Sequence, residues 1–277
     1  RGLRRGAQAT PLPIGSAGEY RAAVEGCGIV LEAAARRDRI WRRAGELAAE
    51  VGGRVPEEAE GALLSEVANL VEAPTPLLGG FDPRFLELPK ELLAMVMKKH
   101  QRYFPVEDAT GALLPHFITV ANGAVDVPTV RAGNEAVLRA RFQDAEFFYR
   151  SDCAAGLAAF RPKLQGTVFH KELGTMLQKA ERTEALVAPL AGLAGLEGDR
   201  ETASRAAHLA RADLATATVM EMTALAGFMG QHYAGEAGLP AEVGDAIFES
   251  VLPRHAGDRV ARSGAGILVS LADKLDA

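Results

Sequence analysis

Apolar residues recur at helical spacing through most of the chain, and the alternating pattern of a strand surfaces in only one region. Residues 1–18 have no periodicity and read as a loop or a strand edge. From about Ala17 to Glu50 the pattern predicts one long helix. Ile40, Trp41, Leu47 and Val51 supply its apolar side, and Arg36, Arg37, Arg39, Arg42 and Arg43 crowd its polar side. That polar side reads first as a solvated face and second as a set of phosphate contacts. Gly52 and Gly53 break the pattern, and a second helix is expected from about Pro56 to Val71. The segment APTPLLGGFDP, from Ala73 to Pro83, reads as a Pro/Gly-rich connector. A short helix opened by Pro89 carries Leu92, Leu93, Val96 and Met97.

Two apolar runs, RYFPVED (Arg102–Asp108) and LLPHFITVAN (Leu113–Asn122), flank an ATG turn and predict a β-hairpin. After a loop, Asn134 reads as the N-cap of a strong helix whose stripe is Leu138, Phe142, Ala145 and Tyr149. From Pro162 onward only helices are expected, with breaks at 192–198, 235–240 and 253–263. The expected fold class is therefore α+β and mostly helical. An N-terminal loop and helical arm (1–84) precedes a small α/β module with a hairpin (85–161) and an all-helical domain (162–277).

Composition adjusts this picture little. The chain has 277 residues, 48% of them hydrophobic, with 24% charged and a net charge of −5. That balance suits a globular protein and argues against a dedicated nucleic-acid coat, although a local basic patch remains compatible with it. Two cysteines, Cys27 and Cys153, lie far apart with no CxxC spacing, which predicts free thiols in a reducing cytoplasm. No stretch is long and apolar enough to suggest a membrane span. The chain opens on Arg1, with Arg4 and Arg5 close behind, and closes inside a helical pattern, so it reads as an internal piece of a longer protein.

Five phrases in order carry a resemblance. They are LPKELLAMVMKKHQRYFPV with GALLPHFITVAN, then VRAGNEAVLRARFQDAEFFYRSD, VFHKELGTMLQKAERTEAL, ADLATATVMEMTALAGFMGQHYA and the closing LADKLD. Together they resemble the β subunit of the two-subunit glycyl-tRNA synthetases. The resemblance implies the middle of a longer β chain that works with an α subunit in an α2β2 heterotetramer and handles tRNA-Gly. It further implies that ATP and Mg serve the adenylate chemistry on the α subunit, and that this chain binds no cofactor of its own.

The helical domain is also similar to the HD metal-dependent phosphohydrolases, in which converging His and Asp side chains hold a metal that activates water. Of that set this chain keeps Asp213, after Ala212 where the family has His, and Asp273. The first His position falls near Lys179, and neither His170 nor His208 replaces it. Two carboxylates without imidazoles suit a transition metal poorly. The resemblance implies a degenerate HD-like scaffold in which Asp213 and Asp273 pair with a base or cap a helix. An HD-type phosphohydrolase and a purely structural assembly module are the alternatives.

The candidate tRNA contacts are Lys98, Lys99, Arg102, Arg131, Arg139, Arg141, Lys163 and Lys171, with His100, Arg150 and Arg161 nearby. Cations neutralise phosphates, and the interleaved Tyr103, Phe104, Phe142, Phe147, Phe148 and Tyr149 offer stacking faces for unpaired bases. For Phe142 and Tyr149, which share a helical stripe, the core is the stronger expectation. Arg139 and Arg141 are equally compatible with surface pairing to Asp144 or Glu146. Gln101 reads as a turn residue. No phosphate-binding glycine loop, nucleophile elbow or zinc-protease motif occurs, so no ATP or glycine site is expected here.

Overall fold

The computed structural model describes residues 13–276, without the side chains of residues 57–60. Arg1, Arg4, Arg5 and most of the expected N-terminal loop lie outside the described residues. The fold is mostly helical α+β, and it divides into two compact units between Asp144 and Ala145.

In the first unit the long helix expected from Ala17 to Glu50 is two helices, α1 (Tyr20–Glu25) and α2 (Ala33–Glu50). The break falls where Gly28 adopts φ +81°, a conformation that a Cβ disfavours. Ile40, Ala44, Leu47 and Ala48 form the buried face of α2, which packs with Leu64, Val67 and Ala68 of α3 (Glu57–Leu70). Arg36 ties this pair together. Its guanidinium donates to the carbonyls of Ala68 (2.6 Å), Val30 (2.7 Å) and Leu31 (2.7 Å).

The Pro/Gly segment expected as a connector is instead strand β1 (Pro74–Gly80). After α4 (Lys90–Met95), the expected hairpin forms from β2 (Phe104–Glu107) and β3 (Leu113–Asn122). The antiparallel sheet has the order β1-β3-β2. Pro74 and Pro76 lack the ladder N–H, so they are tolerated because β1 is an edge. Gly79 pairs with Phe117, whose ring tip would lie 2.4 Å from a Cβ at that position. Only glycine admits the ring there. Residues on both sides of position 84 therefore share one sheet.

One sheet face, through Phe104, Val106 and Ile118, meets α2 and α3. Phe117 points the other way, as strand alternation requires, and stacks on Tyr103 at 4.7 Å. Helix α5 (Val127–Ala155) begins seven residues before the expected Asn134. The capping carboxylate is that of Asp126, which accepts from the Thr129 amide at 3.1 Å. Asn134 lies within the helix and accepts a hydrogen bond from the Tyr103 hydroxyl at 2.7 Å. Phe142 of α5 is fully buried against Phe81 and Phe85.

The second unit is helical apart from one small correction. Strands β4 (Val168–His170) and β5 (Gly174–Thr175) form a short hairpin where only helices were expected. Helix α6 (Met176–Ala194) opens on a reciprocal cap between Thr175 and Gln178. Helix α7 (Arg200–Leu209) buries Ala203, Ala206 and Ala207, small residues that allow close approach to its neighbours. Then follow α8 (Ala217–Glu221), α9 (Phe228–Glu236), α10 (Ala241–Glu249) and α11 (Gly264–Leu275). Helix α7 packs with α6, α10 and α11. Buried Asp152 accepts from the amides of Ala217 and Thr218 and from the hydroxyls of Thr218 and Tyr233. Three of these donors lie at the start of α8, and Tyr233 ties α9 to the same carboxylate. No helix among the described residues is long and apolar enough to cross a membrane.

Candidate functional site

Two sets of residues bear on function, and they differ in construction. The basic set is dispersed. Val96–Gln101 forms a widened π-type turn after α4, on which Lys99 is exposed and Lys98 half-buried. Arg102 follows with φ +56°, and its Nε lies 2.5 Å from a Glu66 carboxylate oxygen. Arg131, Arg139 and Arg141 are exposed on α5. Residues two apart on a helix point to nearly opposite flanks, so Arg139 and Arg141 straddle the buried Leu138/Phe142 stripe and do not form one patch. Arg141 approaches Asp144 at 3.9 Å, while Glu146 pairs with Arg150.

Lys163 and Lys171 belong to the second unit. Lys163 is exposed with its ammonium 4.3 Å from the Phe160 ring centre, and Lys171 sits exposed in the β4–β5 turn. Among the aromatics, Tyr103, Phe104, Phe142 and Tyr149 are buried and have no free face for a base. Phe147 is 69% exposed and is the aromatic of this group with a face open to a partner.

The second set, around Asp213 and Asp273, is compact, and its two carboxylates do different things. Asp213 is buried and accepts from the amides of Gly227 (2.6 Å) and Gly230 (3.1 Å) at the start of α9. Burial pushes its carboxyl above the usual range, against those two hydrogen bonds and Arg211, which pull it down. Gly227 has φ +84°, and a Cβ there would meet Val251 at 2.7 Å, so the cap geometry depends on glycine.

Asp273 faces cations. Arg211 Nη2 lies 2.6 Å from it, Lys179 Nζ 3.5 Å and Lys274 Nζ 3.9 Å. Lys179 is a buried ammonium that also donates to the Asp273 carbonyl at 2.7 Å. Its second carboxylate, Asp276 at 3.5 Å, is held by a two-pronged contact from Arg182. That guanidinium holds Asp276 below the ordinary carboxylate range. Among the described residues no group of three or more His, Cys, Asp or Glu is placed to hold a metal ion. His208 stands by Glu184 on the surface, and the His170 ring accepts from the Glu172 amide in its own turn.

Arg211 and Lys274 were not singled out from the sequence. Both lie beside residues that were, Arg211 before the Ala212–Asp213 pair and Lys274 inside LADKLD. Their position beside Asp213 and Asp273 was the available signal.

The family model described as glycyl-tRNA synthetase beta subunit matches residues 1–277. The chain belongs to the glycyl-tRNA synthetase beta subunit family. Among its relatives, the glycine–tRNA ligase beta subunit of Shouchella clausii is 46% identical over 266 residues, covering 95% of this chain and 38% of the relative. That of Moorella thermoacetica is 44% identical, covering 96% of this chain and 38% of the relative. The chloroplastic/mitochondrial glycine–tRNA ligase 2 of Arabidopsis thaliana is 46% identical over 278 residues, which is 99% of this chain and 26% of the plant protein. The chain thus spans well under half the length of these relatives of its family.

Proposed function

We propose that this segment is the middle of a glycine–tRNA ligase β subunit, that it contributes tRNA contacts and scaffolding, and that it works in the cytoplasm with an α subunit. The carrying observation is the family match along the whole chain, together with relatives named as glycine–tRNA ligases. Amino-acid activation with ATP and Mg belongs, in this reading, to the α subunit of an α2β2 assembly. The basic side chains of the first unit supply sequence-independent phosphate contacts, which fix register without reading bases.

The half-burial of Lys98 makes Lys99 and Arg139 the cleaner probes, since both are exposed. In the full-length subunit with its α partner, a Lys99→Gln, Arg139→Gln pair should weaken binding of tRNA-Gly. The slope of log affinity against log salt should become shallower by roughly 0.7–0.9 per lost contact. Surface changes of this kind usually cost less than about 0.5 kcal/mol, so the melting curve should barely move. Unchanged affinity and slope would make these residues a solvated face, and would favour a purely structural module.

A further inference from the structure

We infer that the cavity beside α6 and α11 in the second unit binds the phosphate group of a nucleotide. The cavity measures about 790 Å³, a size typical of small-molecule sites. One part of its wall is cationic, with Lys179, Arg211 and Lys274 converging on Asp273. Another part is apolar, including Phe169, Val251 and Pro253. With Asp276, which Lys179 and Arg182 share, the cluster sets four cations against two carboxylates and leaves an excess of positive charge beside a concave space. An oxyanion is the ligand chemistry that this excess recognises.

Three further observations converge there. The buried Nε of Arg211 has no hydrogen-bond partner among the described residues, so the hydrogen-bonding capacity of this guanidinium is not used up by Asp273. Arg211 also sits at φ +67°, a strained conformation for a side-chain-bearing residue, and so resembles residues held in place for binding. Arg254 lines the same cavity near its apolar wall, with its charge balanced by Asp258. Burial first, and then Arg211 and Lys179, lower the Lys274 ammonium below the ordinary lysine range although Asp273 opposes this. The apolar wall gives a nucleoside a surface to rest on while its phosphate meets the cations.

The inference is distinct from the tRNA reading, because no residue of this cavity is among the candidate tRNA contacts. It is tested on the full-length subunit with AMP, inorganic phosphate and adenosine in a calorimetric titration. AMP should bind saturably, phosphate more weakly, and adenosine not at all. Lys274→Gln, which alters a partly exposed side chain, should weaken AMP by roughly tenfold with the melting curve retained, as expected for a lost charge-assisted contact. Asp273→Asn removes the competing carboxylate and should strengthen AMP binding. Competition by tRNA would assign the phosphate to a polynucleotide, and its failure to compete would assign it to a free nucleotide. Three results would overturn the inference: no saturable AMP binding, equal binding of adenosine, or AMP binding that needs an added divalent metal and vanishes in Asp273→Asn.

Discussion

Single side chains in this molecule are decided by burial more than by type. Tyr103 illustrates it: an aromatic next to Lys98, Lys99 and Arg102 in sequence, and a stacking candidate on that ground, is buried against Phe117. Burial raises its phenol to about 12, and burial above all pushes Tyr149 and Tyr233 up as well. A raised phenol stays protonated in the folded chain while the unfolded chain ionises, so the stability it contributes is complete below about pH 10 and falls as pH rises toward 12. Ultraviolet titration of the native protein to pH 11 should therefore fall short of the unfolded chain by about three of its four tyrosines. Full ionisation before the melting transition would contradict the buried placement. The stripe containing Phe142 and Tyr149 was legible from spacing alone. The burial of Tyr103 was not, because a pattern of period two assigns a side chain to a face without saying which face is covered.

Elements were read well where one signal dominated and poorly where two competed. The hairpin from Arg102 to Asn122 and the glycine breaks between the C-terminal helices follow from local chemistry, and both are present. Strand β1 was missed because its prolines and glycines are turn formers in most settings. Its pairing with β3 is a long-range contact that no local window contains. The start of α5 was misplaced because Asn134 and Asp126 are both good caps, and only hydrogen bonding separates them. The long arm helix was divided in the structure at glycines that were available to be read. Arg36 shows how an exposed-looking arginine row can hide a structural member. Its three carbonyl acceptors bind the loop before α2 to α3. Arg36→Ala should destabilise the first unit by about 2 kcal/mol, since it strips partly buried carbonyls of a charged donor. Arg39→Ala, on the exposed side of α2, should change it by less than about 0.5 kcal/mol. Chemical denaturation of the two variants compares them directly.

For the whole molecule, a net charge of −5 conceals local surpluses of the opposite sign. The cavity around Asp273 is one, and no count of charges along the chain would have located it, because its members come from segments far apart in the sequence. Carboxylates paired to guanidinium groups set the acid limit of the fold. Arg254 and Arg182 hold Asp258 and Asp276 below their ordinary value of 3.8. A lowered carboxyl contributes stability above its unfolded value, and that contribution is lost as pH falls through it. Buried Asp213 has the opposite sign, since its raised carboxyl costs the fold more as pH rises. Melting temperature should thus decline as pH is lowered from about 4 toward 2. Asp276→Asn should flatten that decline, which melts at several pH values will reveal.

The two prolines of β1 bear on a hazard that a solitary three-stranded sheet carries. An open sheet edge is a template onto which a second molecule can add a strand, and newly made chains are most exposed to that fate before their helices dock. At positions 74 and 76 the edge has no amide hydrogens to offer, so an incoming strand finds two successive outward rungs missing. The residues that disguise β1 as a connector also keep it from seeding aggregation.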